Sequence, residues 1–408
     1  MIDEKLIRKE FPMLSNPPLM QGHPLVWLDN ASTTLKPQCV LDAVSSYYIS
    51  RTSNSHRGDY DLCYSMDVET ELTRKAVSKL INCSPNEVVF TSGTTDSLNR
   101  LAQSLQYSLK KGDEIIISLS EHASNVLPWF QIAKHTGAVI KYVELQKDGL
   151  ITLENLRKTL SKRTKIVSLA QVGNVLGQIQ PIKELVAETH KFGAIFIVDG
   201  AQSVPHMPVD VKDLDCDFLC FSGHKICGPT GIGVLYGKYK LLEDLELNSV
   251  GGGMNDKFYL DGTIKPSKAP AKFEAGTQNL EGILGLRAAI EFIMKIGLEN
   301  IAEHEHKLKK YAVERIKELG NSVIYNADVK SGIVTFNIND VFAQDAATYL
   351  NSKGIACRSG QHCAKLLNDF IGTPATIRAS FYFYTTKEDI DKLVDAVSHG
   401  KEFLDAYF

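Results

Sequence analysis

The fold is decided by residues 198–237, VDGAQSVPHMPVDVKDLDCDFLCFSGHKICGPTGIGVLYG. The stretch begins at the end of an apolar run, AIFIVDG (194–200), passes through DFLCFSG (217–223) and closes on GIGVLYG (231–237). Such runs lack the polar alternation of a half-exposed strand and read as strands covered on both faces. Asp199 sits at the tip of the first run, and Lys225 follows the second. A carboxylate at the end of an apolar strand is costly to bury alone, so Asp199 calls for a cationic partner.

Outward from this stretch the pattern repeats. EVVFT (87–91), EIIIS (114–118), VIKYVEL (139–145) and KIVSLAQV (165–172) alternate with amphipathic segments such as LENLRKTL (153–160) and IKELVAETHKFG (182–193). In the last, Ile182, Leu185, Val186 and Thr189 share one helical face, and Gly193 supplies the stop. The alternation predicts an α/β fold built on a mostly parallel sheet of seven strands. VLYGKYK, after GPTGIG, reads as an edge strand or hairpin arm. Near residue 280 the pattern changes to a long helical stretch, 281–320. IVTFNI (333–338), a helix around 344–353, RASFYFYTT (378–386) and a closing helix from Lys387 follow. The expected division is a large domain over 20–285 and a smaller α+β domain from 1–19 and 286–408.

With 408 residues the chain is long enough for two domains. A net charge of −3 gives no electrostatic reason to bind nucleic acid or an anionic membrane. The opening MIDEKLIRKEFPML has no apolar core of a secretory signal, and no apolar run approaches the ~20 residues of a membrane helix. Eight cysteines without a CxxC pair argue against a zinc ribbon and against a disulfide scaffold. A cytoplasmic protein with free thiols is expected, with no bound metal.

Ligands of open parallel sheets sit at the carboxyl ends of the strands. SGTTDS follows the run 87–91, and its Thr94 and Thr95 form either an anion cradle or an ordinary helix cap. His122 follows 114–118, Asn174 follows 165–172, and Gln202 follows Asp199. The run 217–223 ends on Ser222 and Gly223 and leads to His224 and Lys225. A phosphate cradle, an imidazole, a buried carboxylate and a lysine are together the needs of pyridoxal 5′-phosphate. RSGQHCA (358–364) is a separate feature. Taken alone, its Cys363 fits a packed core thiol, a metal ligand, half of a disulfide or a nucleophile.

Residues 198–237 resemble the core of the class V, fold-type I pyridoxal-phosphate enzymes. WLDNASTTLKP (27–37), HRGDY (56–60), FTSGTTDSLN (90–99), FEAGTQN (273–279) and RASFYFYTTKEDID (378–391) are similar to the cysteine desulfurase branch. RSGQHCA resembles the short active-cysteine loop of the SufS-type group. The resemblance implies that Lys225 links the cofactor, Asp199 pairs with its ring nitrogen and Gln202 reaches its ring hydroxyl. It places His122 on the ring with a part in proton transfer. Thr94 or Thr95, Ser222 and His224 would hold the phosphate, with Thr277 reaching the phosphate of a neighbouring subunit in a homodimer. Asn174 and Arg378, with Arg358 nearby, would bind the substrate carboxylate. Cys363 becomes the nucleophile, with Arg358 and His362 as positive or polarisable groups favouring its thiolate. Many relatives carry two histidines before this cysteine, where the present chain has Gln361 and His362.

The implied activity converts L-cysteine to L-alanine and a Cys363 persulfide. The sulfur passes to an acceptor protein of the SufE or SufU kind for iron–sulfur cluster assembly. A selenocysteine lyase on the same fold, taking L-selenocysteine, is the nearest alternative. A non-catalytic sulfur- or metal-binding scaffold is the alternative from another class, and it gives Asp199 and Lys225 no purpose.

Overall fold

The structure is a computed structural model that describes residues 2–55 and 58–402. His56 and Arg57 of the HRGDY stretch lie outside the described residues. The larger sheet has seven strands: β1 (Val88–Thr91), β2 (Glu114–Ser118), β3 (Val139–Val143), β4 (Thr164–Ala170), β5 (Ile195–Asp199), β6 (Phe218–Ser222) and β7 (Gly233–Gly237). Their order is β1-β7-β6-β5-β4-β2-β3. The strands from β6 to β3 pair in parallel, while β7 runs antiparallel to both neighbours.

Of the two expectations for VLYGKYK, the hairpin arm holds, since β7 pairs antiparallel with the preceding β6, and the edge position does not. β7 lies inside the sheet between β1 and β6, buried along its whole length. Its glycine makes this possible: a Cβ on Gly233 would collide with the backbone of Gly93. Successive residues of the central strands feed two cores, as a pleated strand requires. Val167, Phe196 and Val198 pack with Leu185 and Val186 on one face. Ile166, Ile197 and Phe218 pack with Leu98, Leu101 and Trp129 on the other.

The stretch 281–320 is two helices, Leu280–Ile296 and Leu298–Glu318, parted at Gly297 with φ +89°. The Gly297 N–H still donates to Ile293 C=O at 2.9 Å, ending the first helix. That helix packs against Gln38–Ser46 and Asp61–Ile81, and the second against Lys387–Ser398. The division expected at 285/286 thus falls inside a continuous helix.

The smaller sheet contains β8 (Ser322–Ile324), β9 (Ile333–Ile338), β10 (Arg358–Gly360) and β11 (Thr376–Ser380). It is antiparallel, in the order β8-β9-β11-β10. Val334, Phe336 and Ile377 pack there with Leu308, Ile390 and Leu393. The two layers are joined by side-chain bonds: Thr335 Oγ1 donates to Val175 C=O at 2.5 Å, and Asn326 Nδ2 to Leu176 C=O at 2.9 Å. These bonds hold the loop after β4, which carries Asn174, against β9.

Candidate active site

A cavity of about 390 Å³ opens at the carboxyl ends of the large sheet and is closed by the small layer. Thr94, Thr95, His122, Asn174, Asp199, Gln202, Ser222, His224 and Lys225 line it, joined by Arg358, His362, Cys363 and Arg378. Of the residues expected at the site, only Thr277 does not line it. Thr277 is exposed, on a loop whose Glu274 accepts from Arg74 and, at 2.8 Å, from the Phe90 N–H.

At the β1 turn, Gly93 caps helix Thr94–Leu105 without a side chain. Thr94 and Thr95 are therefore not the cap, and the helix start, with Asp96 in its first turn, points its partial positive charge toward the cavity that both threonines line. The Thr94 N–H donates to Ser222 Oγ at 2.8 Å, and Thr95 Oγ1 meets Ser124 Oγ at 2.7 Å. Burial pulls His224 down to about 4, with Lys225 adding to the effect, so its imidazole is neutral.

Past β2, His122 Nδ1 accepts from the Ser124 N–H at 3.1 Å. Burial, with Lys225 contributing, lowers this imidazole to about 4. The ring is neutral, and a Nδ1 that accepts leaves the proton on Nε2.

Asp199 ends β5 almost fully buried, its carboxylate accepting from the Ala201 N–H at 2.9 Å. Burial raises its carboxyl above the usual range, while Lys225 pulls the other way. Lys225 ends a single tight turn, Gly223–Lys225. Burial lowers its amine to about 8, with Asp199 opposing and Arg378 and Arg358 assisting.

Two arginines face the same space. Arg378 donates to Asn174 C=O at 2.8 Å, to Ser32 Oγ at 2.8 Å and to Asp29 Oδ1 at 3.2 Å. Arg358 pairs with the other oxygen of Asp29 at 3.2 Å. One carboxylate between two guanidiniums leaves a net positive charge, suited to a carboxylate ligand.

Cys363 is exposed, and both His362 (φ +52°) and Cys363 (φ +56°) hold the left-handed conformation. For non-glycine residues that costs roughly 1–2 kcal/mol each. The loop is fixed from the large layer: Asn174 Nδ2 donates to His362 C=O at 2.8 Å, and the Ala123 N–H to Cys363 C=O at 2.7 Å. His362 Nε2 also meets Thr376 Oγ1 at 2.9 Å. Burial drives His362 down to about 3, so it carries no positive charge toward the thiol. Of the two expectations for His362, positive or polarisable, burial disfavours the first, and the bonds to Thr376 and from Asn174 hold the residue in the loop. Gln361 points its side of the loop to solvent.

The other readings of Cys363 lose support. All eight cysteines are free, and among the described residues no group of three His, Cys, Asp or Glu is placed to hold a metal ion. Cys216, Cys220 and Cys227 are buried core residues.

Gln202 Oε1, Asn174 Oδ1 and Arg378 Nε are buried without partners. Buried polar atoms in native proteins are seldom left so, and these three belong to residues that line the cavity. The Arg378 donor fits an amino acid carboxylate, and the cradle, Asp199 and Lys225 fit a phosphorylated pyridine aldehyde.

Residues 26–393 match the Aminotransferase class-V family. The chain belongs to that family. The probable cysteine desulfurase of Halalkalibacterium halodurans is 47% identical over 98% of this chain and 99% of its own length. The cysteine desulfurase of Haloferax volcanii is 40% identical over 98% of this chain and 97% of its own. The apo cysteine desulfurase of Thermococcus onnurineus superposes with a TM-score of 0.92 at 37% identity, covering 98% of each chain. The cysteine desulfurase CsdA of Escherichia coli superposes at 0.91 and 36%, covering 98% of this chain and 99% of its own.

In this class-V chain Asp29, Ser32 and Thr33 of WLDNASTTLKP join the site although no role for them was expected from the sequence. Ser32, Thr33, Ser124 and Thr230 line the cavity, and Asp29 joins its two arginines. The signal was present: polar residues clustered directly after the apolar Val26–Leu28.

Proposed function

We propose that the chain is a pyridoxal-phosphate-dependent cysteine desulfurase that moves the sulfur of L-cysteine to Cys363 and releases L-alanine. The carrying observation is the fixed placement of Cys363 in the cavity that holds Lys225 and Asp199. A lyase or aminotransferase has no use for a thiol there. The cysteine desulfurases to which the chain is similar support the same reading.

Pyridoxal phosphate, when bound, supplies an electron-withdrawing ring that takes up the charge left at Cα. Thr94, Thr95, Ser222 and His224 would hold its phosphate, Asp199 its ring nitrogen, Gln202 its hydroxyl, and Lys225 its aldehyde carbon. Arg378 and Arg358 bind the substrate carboxylate, and Asn174 orients it. Lys225 Nζ, lowered to about 8, takes the Cα proton as a free amine. His122 is neutral and offers Nε2–H for a proton step at the substrate. Cys363 Sγ forms a bond to the substrate sulfur as the Cβ–S bond breaks. The electron pair of that bond stays with carbon, and protons at Cβ and Cα complete alanine. The other product is the Cys363 persulfide.

The loop explains the next requirement. Bonds from Ala123 and Asn174 pin Cys363 in place, so an acceptor protein must bring its own thiol. A second cleft of about 640 Å³, lined by exposed Leu127, Phe130 and Phe342, meets the active cavity at Cys363 and suits an acceptor of the SufE or SufU kind. Iron–sulfur cluster assembly is the proposed destination. We place Thr277 at the partner's phosphate in a homodimer, which agrees with its position outside its own cavity. Among the described residues no helix is long and apolar enough to cross a membrane, and the cytoplasm is the proposed location.

The test is to mix the protein with L-cysteine and quantify alanine and Cys363-bound sulfur together. Equal amounts are expected, with none from Lys225→Ala. Alanine without sulfur on Cys363 would refute the reading.

A further inference from the structure

The carbonyl oxygen of His224 receives more donors than its two lone pairs. The Thr34 N–H reaches it at 3.0 Å, Thr34 Oγ1 at 3.0 Å, Thr33 Oγ1 at 3.1 Å and Lys36 Nζ at 3.0 Å. This carbonyl belongs to the peptide that leads directly into Lys225. The same segment also grips the far end of the turn, where the Cys227 N–H donates to Thr34 Oγ1 at 2.8 Å. Lys36 is anchored in turn by a second bond from Nζ to its own neighbour, Thr34 C=O.

The turn has reason to need a clamp. It is a single turn of three residues, followed by Cys227 in the left-handed region at φ +62°. Its internal bonds, from Ile226 and Gly228, both end on Gly223 C=O. They leave the His224–Lys225 peptide to be held from outside. Hydroxyls can swing to other partners, but an ammonium makes a charge-assisted bond about twice as strong as a neutral one. Burial lowers Lys36 to about 8, with Cys227 opposing, so it is still protonated at neutral pH. Lys36 does not line the cavity. It acts on the site through the backbone.

We propose that Lys36 is the positioning residue for Lys225. Its ammonium fixes the His224–Lys225 peptide and with it the direction of Lys225 Nζ toward the cofactor and the substrate Cα. The inference rests on reading Lys225 as the cofactor-linking lysine and proton carrier. The charge is the operative feature, and the methylene stem is not.

The experiment compares wild type, Lys36→Met, which keeps the stem, and Lys36→Arg, which keeps the charge. In cofactor-free protein, amide hydrogen exchange is followed by mass spectrometry over residues 222–228. Faster exchange is expected in Lys36→Met, with protection largely regained in Lys36→Arg. In protein loaded with pyridoxal phosphate, Lys36→Met should show weaker visible circular dichroism per bound cofactor. Its turnover should fall about tenfold or more with little change in KM, as misplacement of a reacting group demands. Wild-type exchange and wild-type dichroism in Lys36→Met would overturn the clamp. Should Lys36→Met not fold, Lys36→Gln, which keeps a neutral donor and removes the charge, should still show faster exchange over the same residues; wild-type exchange in it overturns the proposal. If wild type binds no pyridoxal phosphate, the reading of Lys225 fails and the clamp's role fails with it. If wild type binds it and Lys36→Met is indistinguishable, only the clamp fails.

Discussion

The backbone N–H of Ala123 donates to the carbonyl oxygen of Cys363 at 2.7 Å, across 240 positions of sequence. One residue before this donor stands His122, and both His122 and Cys363 line the cavity. A single bond thus sets the thiol of the small layer against the imidazole of the large one. It also explains how two consecutive left-handed residues are tolerated: their carbonyls are the acceptors that the large layer uses.

Arg378 should govern substrate affinity. Its guanidinium is fixed by Asn174, Ser32 and Asp29, with Nε unpartnered. Lys cannot reproduce the planar fork, so Arg378→Lys should raise KM for L-cysteine about tenfold or more. Steady-state kinetics would check this, and an unchanged KM would assign the carboxylate elsewhere.

The pH dependence follows from Lys225. Its amine takes the Cα proton only when neutral, and neutrality is reached above its pKa of about 8. Below that value kcat should fall about tenfold per pH unit, and above it the gain should be offset as Lys36, also lowered to about 8, gives up the charge that clamps the His224–Lys225 peptide. His122, already neutral above about 4, adds no inflection near neutrality. A kcat that declines as the pH rises toward 8 from below would contradict the role of Lys225.

Glu121 is a buried carboxyl that supports the turn bearing His122. Burial lifts it to about 7, with Asp199 adding to the rise. Its oxygens accept from Ser118 Oγ at 2.6 Å, Asn125 Nδ2 at 2.7 Å and the Ala170 N–H at 2.9 Å. A glutamine can keep an oxygen for Asn125 and Ala170 and turn its N–H₂ to the Ser118 hydroxyl, whereas an alanine leaves the buried Asn125 and Ala170 donors without their acceptor. Glu121→Ala should therefore lower stability by about 1–3 kcal/mol in urea unfolding. An unshifted midpoint would contradict this donor arrangement.

Thr277→Ala tests the shared site. If the hydroxyl reaches a partner's phosphate, the variant should lose pyridoxal phosphate faster on dialysis. Unaltered retention, in a chain that sediments as a monomer, would remove the homodimeric reading.

The large sheet was legible because its strands are mostly apolar runs, five of which (β1, β2, β4, β5 and β6) are followed at the carboxyl end by polar residues that line the cavity. Asp199, Lys225 and His122 are placed by that rule alone. The interior position of Gly233–Gly237 was not legible, since a short buried strand has the same pattern at an edge or between two neighbours. The break at Gly297 was hidden because the apolar periodicity runs on through it. The part played by residues 29–36 depends on contacts reaching about 190 to 350 positions along the chain, as in Lys36 to His224 and Asp29 to Arg378. The choice between a positive and a polarisable His362 was not legible, because adjacency in sequence says nothing of burial.

The central claim is that Cys363 takes the sulfur, and a rapid-quench measurement with L-cysteine tests it most directly. Wild type should release one alanine per active site in a fast first turnover, with Cys363 gaining the mass of one sulfur atom. A slower phase should follow, which a thiol acceptor accelerates without changing the burst. Cys363→Ser should keep its bound cofactor, bind L-cysteine and release no alanine burst. A burst of wild-type size from Cys363→Ser would contradict the account.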